Sequence, residues 1–444
     1  METSKPSSDK SRELLRSILA LSLPSIVTNI AVPVLSITDT ALAGHIGSAL
    51  TIAAVAVGGT MFNLIYWLCG FLRMGSSGPA AQAYGAGQTG ECNQILCRGL
   101  LLAVGLGTGM IALQSPLARL LLRLMDADAS TASIALRYFS ICVWGAPAVL
   151  ANYCFSGWFL GRQNTRVTMW VSLFMVVFNI AVSLTLVGVF GMGVEGIATG
   201  TLSAQWASCL IFMGAALKEH SLEGVTRRGV FNLGALLRFF RINTDIFLRT
   251  VCLVTVTLWF TRTGARQSEL MLAVNAVLMQ LFTLFSFFMD GFAYAAEALC
   301  GMLAGAGQYG TLRLMVRRLL GVGVVFALVF SVTYLICGTE IIGLISSDSR
   351  VVESAGEYMG WAVTVPCAGF MAFIWDGVYV GLTRTREMLL SMGVATAVFF
   401  AVYAVAFPHM GNHGLWLAFV CYLFVRGLLL GLMSRRPGIL SRIS

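Results

Sequence analysis

Four acidic side chains interrupt long apolar stretches of the sequence: Asp39, Asp290, Glu297 and Asp376. If these stretches cross a membrane, a charge at the bilayer centre costs roughly 3 kcal/mol or more. Ionisable groups at that depth usually face a cavity or a partner, and they often mark the path of an ion or a substrate. We therefore take these carboxylates as the first candidates for function.

Asp39 lies deep in the first apolar stretch, PSIVTNIAVPVLSITDTALAGHIG, which also contains Pro24 and Pro33. Either proline can bend a helix or free backbone carbonyls. No basic residue lies near Asp39 in this stretch, so desolvation disfavours its charged form and a proton-carrying role is plausible. The alternative is a carboxylate at a helix end in the outer headgroup region.

Polar residues in the fifth and sixth apolar stretches are candidates to join Asp39. Asn179 and Ser183 are one helical turn apart and share a face. Thr201 and Gln205 give the next stretch a similar polar stripe. The alternative for Asn179 and Ser183 is a polar pair that holds two helices together.

The second half of the chain has its own candidates. Asp376 occurs in FIWDGVYVGLTR, next to Trp375 and one turn before Tyr379. A carboxylate among aromatic rings suits an organic cation, through charge and cation–π attraction. The alternative is a buried carboxylate bonded to a neighbouring helix.

Three further charged residues complete the candidates for a substrate cavity. Asp290 and Glu297 are seven residues apart, so they share a helix face and could attract cations. Alternatively, Glu297 marks the cytoplasmic end of its helix. Arg249 can pair with Asp245 one turn earlier, which would be a structural ion pair.

Arrangements that would support catalysis are poor. The histidines are His45, His220, His409 and His413, and the last two fall in a glycine-containing loop that is a poor metal site. No nucleophile elbow, Walker loop or dinucleotide fingerprint occurs in a credible setting. The 11 cysteines form no Cys-x-x-Cys pair and are expected to be reduced packing residues. We expect no enzyme activity, no resident metal and no cofactor, with H⁺ or Na⁺ carried as a coupling ion.

The composition explains which elements position these residues. The 444 residues are 57% hydrophobic and 11% charged, against roughly 25% charge in a soluble domain. Apolar runs of about 20 residues recur, each long enough to cross a hydrocarbon core of roughly 30 Å, and they lack the alternation of barrel strands. The sequence predicts an all-α polytopic protein with twelve spans: 17–42, 51–72, 95–114, 136–159, 168–190, 194–217, 244–262, 271–295, 315–338, 357–381, 388–407 and 413–433.

The basic residues predict the orientation of these spans. Of the 29 Lys and Arg residues, 20 fall on the side of the chain termini and six on the opposite side. The excess of positive charge in short loops marks the cytoplasmic face, so both termini are expected in the cytoplasm. The net charge of +9 is accordingly assigned to membrane insertion and not to nucleic-acid binding.

The sequence repeats itself after 220 residues. The run GAGQ at 85–88 recurs at 305–308, and Gly157 and Gly161 correspond to Gly377 and Gly381. Because each copy has six spans, both cross the membrane in the same sense, as in transporters built from parallel repeats. We expect two lobes, residues 1–225 and 226–444, with a basic linker around 218–243.

The sequence resembles the multidrug and toxic compound extrusion (MATE) family, and specifically its DNA-damage-inducible F (DinF) branch. The resemblance covers nearly the whole chain and is carried by LPSIVTNIAVPVLSITDTALAGHIG, NTDIFLRT, LAVNAVLMQLFTLFSFFMDGFAYAAEALCG and FIWDGVYVGLTRTREM. It implies two six-helix lobes in a V shape that export amphipathic, often cationic compounds in exchange for H⁺ or Na⁺.

The resemblance also implies roles for individual residues. Asp39 matches a first-helix carboxylate tied to cation coupling, and Asn179 and Thr201 match an asparagine and a threonine of that site. Tyr138 loosely matches a fourth-helix tyrosine. An aspartate one turn after the asparagine is replaced here by Ser183, which puts a two-carboxylate proton site in doubt.

The tenth-helix aspartate associated with coupling or substrate in several members matches Asp376. We therefore expect a monomeric, multi-pass antiporter in a bacterial inner membrane, with amphipathic cations as substrates. Two alternatives are a flippase for lipid-linked precursors from the same superfamily, which would favour a more cationic cavity, and a membrane-embedded enzyme.

Overall fold

The computed structural model describes residues 8–46, 49–125, 128–436 and 438–440. Lys5 and Arg442, which contribute to the predicted orientation, lie outside these ranges. Apart from short turns, the described chain is helical, as the long apolar runs predict.

The first repeat contains nine α-helices and a single 3₁₀ turn among its described residues. They are α1 (Ser8–Ile46), α2 (Ala49–Leu68), α3 (Phe71–Gly85), α4 (Thr89–Ala112), α5 (Gln114–Met125), α6 (Ala129–Cys142), the 3₁₀ turn Val143–Gly145, α7 (Ala146–Gly161), α8 (Thr165–Gly188) and α9 (Gly193–Lys218).

The linker and the second repeat follow with fewer breaks. They comprise α10 (Arg227–Val230), α11 (Leu233–Gln267), α12 (Glu269–Gly305), α13 (Tyr309–Ile345), α14 (Ser349–Gly381), α15 (Thr385–Met410) and α16 (Asn412–Met433).

Twelve helical segments within the described residues are long and apolar enough to cross a membrane, which confirms the predicted spans. Most of them extend beyond the predicted bounds. For example, the span predicted at 244–262 belongs to α11, which has 35 residues. At about 1.5 Å per residue this helix is roughly 50 Å long, so it projects beyond a hydrocarbon core of roughly 30 Å.

The two repeats differ in helix continuity at two glycines. The second span is broken between α2 and α3, beside Gly70, whereas its counterpart α12 is continuous and has Asp290 at the matching position. The fourth span is interrupted at Gly145, where continuous α14 has Val365. Glycine lowers helix stability in both places, and a β-carbon on Gly145 would also overlap the Gln205 amide.

In each repeat, a further pair of glycines lets two helices approach each other closely. A β-carbon on Gly157 or Gly161 of α7 would overlap the α3 backbone or side chains. A β-carbon on Gly377 or Gly381 of α14 would likewise overlap the α12 backbone. Small residues let membrane helices approach closely. The duplicated sequence therefore encodes a duplicated helix contact.

An aspartate also begins the same helix in each repeat. Asp128 accepts hydrogen bonds from the Ser130 hydroxyl and from the Thr131 amide, 3.1 Å away, at the start of α6. Asp348 accepts from the Arg350 amide at 2.9 Å, at the start of α14. The hydrogen bonds from Ser130 and Thr131 lower the pKa of Asp128, which is fully exposed outside the spans. Both aspartates act as N-caps.

The helices form two compact units. One contains Val27–Asn243, and the other contains the described residues up to Ile26 together with those from Thr244 onward. The first half of α1 and the linker up to Asn243 therefore group differently from the sequence-based division at 225 and 226. A long helix can supply contacts to one unit at one end and to the other unit at the other end, which a linear division of the chain does not capture.

Each unit has its own aromatic core. In the unit containing Val27–Asn243, Phe62 stacks on Phe139 with ring centroids 4.8 Å apart. In the other unit, Phe260, Trp416 and Phe419 pack among buried aliphatic residues. The candidate site residues of each unit are thus held by rigid, well-packed helices.

Candidate functional site

Asp39 lies within the unit Val27–Asn243 and contacts two other helices. Asp39 is buried, with only 7% of the residue exposed. The Thr201 hydroxyl on α9 donates to Asp39 Oδ2 over 3.0 Å, and the Asn179 amide on α8 donates to Thr201 Oγ1 over 3.0 Å. Three residues predicted from separate apolar stretches therefore form one connected chain of hydrogen bonds.

Tyr138 on α6 completes this group. Its residue is 4% exposed, and its hydroxyl lies beside the Asp39 carboxylate. Gly58 on α2 leaves space for the ring, because a β-carbon at that position would collide with Tyr138. The sequence matched Tyr138 only loosely to a family position, and the structure places it with the other predicted residues.

Ser183 lies at the edge of the group, buried against α9. A β-carbon on Gly200 would overlap the Ser183 hydroxyl, so the two helices touch at this point. The Ser183 Oγ atom is buried and has no hydrogen-bond partner among the described residues. A serine fits this close approach, whereas the larger aspartate that the family resemblance implies at this position would need more room.

Two further oxygen atoms in the group lack a donor. Asp39 Oδ1 and Asn179 Oδ1 are buried without a hydrogen-bond partner among the described residues. An unsatisfied buried oxygen carries a desolvation penalty of about 1–3 kcal/mol, which a bound proton or cation would relieve. The set of carboxylate, amide and hydroxyl oxygens is the type that binds H⁺ or a hard cation.

Asp376 lies in the other unit and forms a buried ion cluster. Arg249 on α11 and Arg426 on α16 both donate to Asp376 Oδ2 on α14, and all three side chains are less than 10% exposed. Asp290 on α12 interacts electrostatically with Arg426. The structure thus supports the alternative interpretation of Asp376, a buried carboxylate bonded to neighbouring helices.

The predicted pair between Arg249 and Asp245 is wrong, since the acidic partner of Arg249 is Asp376. Asp245 instead accepts a hydrogen bond from the Thr385 hydroxyl over 2.8 Å. Asp376 is farther from Arg249 along the sequence than Asp245 is, but its side chain is buried next to Arg249. The Asp376 carboxylate offsets part of the cost of burying each arginine charge.

The remaining predicted cavity residues pack inside the same unit. Trp375 is 4% exposed, and the Tyr379 hydroxyl donates to the Leu430 carbonyl of α16 over 2.9 Å. Glu297 is buried on α12, and Asp290 is half-buried seven residues earlier. The Tyr379 hydrogen bond therefore joins α14 to α16, and Trp375 lies beside Gly431 at the same contact.

Arg426 is the ionisable residue that the sequence reasoning left without a role. It lies in the apolar run LFVRGLLLG, so the rule that selected Asp39 and Asp376 also selects it. The described residues contain no group of three or more His, Cys, Asp or Glu side chains arranged to hold a metal ion.

The duplicated twelve-span fold, with a buried carboxylate group in one unit and an ion cluster in the other, is that of a transporter built from parallel repeats. The model of the MatE family matches the chain twice, at residues 24–185 and 245–405. The two matches fall in register with the sequence repeat. The chain belongs to the MATE family, whose members are transporters and not enzymes.

Similar proteins agree with this assignment. The chain is 37% identical to DNA damage-inducible protein F of Escherichia coli K12, over 95% of this chain and 92% of that protein. It is 25% identical to the multidrug resistance protein MdtK of Edwardsiella ictaluri, over 95% of each. The MATE transporter VcmN of Vibrio cholerae, solved in its bent form, has the same fold with a TM-score of 0.85, 16% identity and coverage of 96% and 97%.

Proposed function

We propose that this protein is an antiporter that exports amphipathic organic cations in exchange for H⁺ or Na⁺, with Asp39 as the coupling carboxylate. The observation that carries the proposal is the buried group formed by Asp39, Thr201 and Asn179. In this group, the carboxylate oxygen Asp39 Oδ1 and the amide oxygen Asn179 Oδ1 accept no hydrogen bond among the described residues. The relatives named as multidrug resistance proteins support drug-like small molecules as substrates.

The coupling follows from competition for one negative charge. When Asp39 is ionised, the unit Val27–Asn243 attracts a cationic substrate. When a proton or Na⁺ binds, the charge is neutralised and the substrate loses that attraction. Transport requires that ion and substrate favour different conformations, because a ligand shifts an equilibrium only by its difference in affinity.

The gradient of the coupling ion supplies the driving force. An H⁺ or Na⁺ moving into the cytoplasm gains about 2.3 kcal/mol per 100 mV, but an organic cation with one charge loses the same amount on export, so a one-for-one exchange is driven by the concentration gradient of the ion. Ion entry and substrate export are defined relative to the orientation of the protein. The distribution of Lys and Arg indicates that both termini and the linker face the cytoplasm. The transporter is expected to work as a monomer in the inner membrane.

The choice of ion depends on how many oxygens can turn toward it. A proton needs only Asp39 Oδ1, whereas Na⁺ needs several ligands, which Asp39, Asn179, Thr201 and Ser183 could supply together. Replacement of the family aspartate by Ser183 leaves a single carboxylate among these four residues. One bound monovalent cation is therefore the expected stoichiometry.

The test is transport in proteoliposomes with H⁺ and Na⁺ gradients imposed separately. We expect a fluorescent organic cation to be exchanged against one of the two gradients by the natural protein. Asp39→Asn should abolish this exchange, whereas Asp39→Glu should retain part of it. Glu353→Gln, which removes an exposed carboxylate at the start of α14, is the matched control and should exchange normally.

Each variant must also elute as a monodisperse species with an unchanged melting temperature. Full ion-driven exchange by a well-folded Asp39→Asn variant would refute the assignment of Asp39. Exchange in both gradients, or in neither gradient, by the natural protein would refute coupling to a single ion.

A further inference from the structure

The linker between the two repeats presents four exposed arginines. They are Arg227, Arg228, Arg238 and Arg241, and residues 226–243 contain no Asp or Glu. The transport site uses none of them. Each charge is available to a partner outside the protein.

The same segment exposes large apolar side chains. Phe231 is 59% exposed, Leu233 71%, Leu237 61% and Phe240 47%. Leu233, Leu237 and Phe240 are spaced four and three residues apart at the start of α11, so they lie on one helix face. Phe239, on another face, is buried against the protein. The segment is therefore amphipathic, with its apolar face turned outward.

The position of this face relative to the bilayer follows from helix length. The twenty residues between Arg241 and Arg262 suffice to cross the hydrocarbon core. The turns that carry Leu233, Leu237 and Phe240 therefore lie at the headgroup boundary. A basic segment with apolar residues at this depth is typical of interfacial helices that bind anionic lipids.

Hydrogen bonds hold the linker in a fixed place. Arg98 on α4 donates to the carbonyl oxygens of Gly229, over 2.9 Å, and Val230, over 3.3 Å. Asn93 donates to the carbonyls of His220 and Glu223, each over 2.9 Å. Because these bonds fix the turn, Arg227, Arg228 and Phe231 line one surface recess.

A similar arrangement ends the second repeat. Arg435 and Arg436 are exposed, and the following carbonyls of Gly438 and Leu440 accept hydrogen bonds from Arg384, over 3.0 Å, and Arg313, over 2.9 Å. In the 220-residue register, Arg313 corresponds to Asn93. Each repeat thus ends in an exposed Arg-Arg pair, followed by a segment bonded to the protein.

We propose that the recess formed by Arg227, Arg228 and Phe231 binds the headgroup of an anionic phospholipid, with Leu233, Leu237 and Phe240 contacting its acyl region. The arginines match the phosphate in charge and geometry. The exposed apolar face selects a lipid over a free phosphate ion.

The test measures binding of phosphatidylglycerol and phosphatidylcholine to the purified full-length protein by native mass spectrometry. The natural protein should prefer phosphatidylglycerol. Arg227→Gln/Arg228→Gln should weaken phosphatidylglycerol binding about 30-fold, the effect expected for two charges at an anionic surface. Binding of phosphatidylcholine should not change.

Two further variants make the outcome specific. Arg262→Gln/Arg266→Gln removes two exposed arginines from the opposite end of α11 and should leave phosphatidylglycerol binding unchanged. Arg227→Lys/Arg228→Lys keeps the charge and should restore most of the binding, even if the glutamine variant proves unstable. The proposal is overturned if Arg262→Gln/Arg266→Gln loses as much phosphatidylglycerol binding as Arg227→Gln/Arg228→Gln. It is also overturned if Arg227→Gln/Arg228→Gln binds phosphatidylglycerol as well as the natural protein and Arg227→Lys/Arg228→Lys do. Displacement of the lipid by millimolar inorganic phosphate also overturns it.

Discussion

The ion cluster around Asp376 makes a sharp prediction about stability. Arg249 and Arg426 share one carboxylate oxygen, so the three side chains together carry one positive charge. Asp376→Asn leaves two buried guanidinium groups without that carboxylate. Arg249→Met or Arg426→Met instead leaves a neutral pair of Asp376 and one arginine, and Arg426→Met also removes the attraction between Arg426 and Asp290.

The magnitudes follow from the cost of an unpaired buried charge. Removing one partner of a buried ion pair costs about 3–5 kcal/mol, so Asp376→Asn should destabilise the protein by at least that much. Each single Arg→Met variant should cost less than about 2 kcal/mol, because one charge-assisted hydrogen bond is lost while a desolvated charge is removed. Replacing all three by Met, Leu and Met should cost the least per group removed, since buried triads can often be replaced by apolar residues.

The assay is reversible unfolding in mixed micelles, with the free energy of unfolding measured for each variant in the same detergent. The expected order of stability places both Arg→Met variants and Arg249→Met/Asp376→Leu/Arg426→Met above Asp376→Asn. If Asp376→Asn is as stable as the Arg→Met variants, the carboxylate does not neutralise the arginines. If the triple variant is as unstable as Asp376→Asn, packing and not charge controls this region.

Three other predictions test the packing and the caps. Gly200→Ala should destabilise the protein by about 1–3 kcal/mol in the same unfolding assay, because the added methyl group overlaps Ser183 of α8. Gly214→Ala on the same helix is the control: its methyl group meets open space, so the variant should be as stable as the natural protein or slightly more stable. Asn275→Leu should cost about 2–3 kcal/mol because it leaves Asn412, its reciprocal partner at 2.8 and 2.9 Å, without two bonds; equal stability of Asn275→Leu and the natural protein would contradict this pairing. The lowered pKa of Asp128 stabilises the fold above the unfolded value of about 3.9 and loses this effect as pH falls toward the folded value. The melting-temperature difference between natural and Asp128→Ala proteins should therefore shrink below about pH 4, and a difference independent of pH would refute the ionised cap.

The sequence by itself determined the number of spans, the all-helical class and the repeat. These follow from apolar run length and from residues that recur in one register, which are local properties of the chain. It also selected Asp39, Asn179, Thr201 and Ser183, because polar groups are expensive inside a membrane and few occur there. The structure brings Asp39, Asn179 and Thr201 into one hydrogen-bonded chain and buries Ser183 beside them.

Only the tertiary structure decided which partner each charged group takes. Arg249 was within one turn of Asp245, yet it pairs with Asp376, 127 residues away, and Arg426 joins the same carboxylate. Helix periodicity predicts contacts within a helix, but contacts between helices depend on rotation and close approach, which Gly377 and Gly381 set at the α12–α14 contact. The division at Ile26 inside α1 has the same origin, since a continuous helix can belong to two packed units.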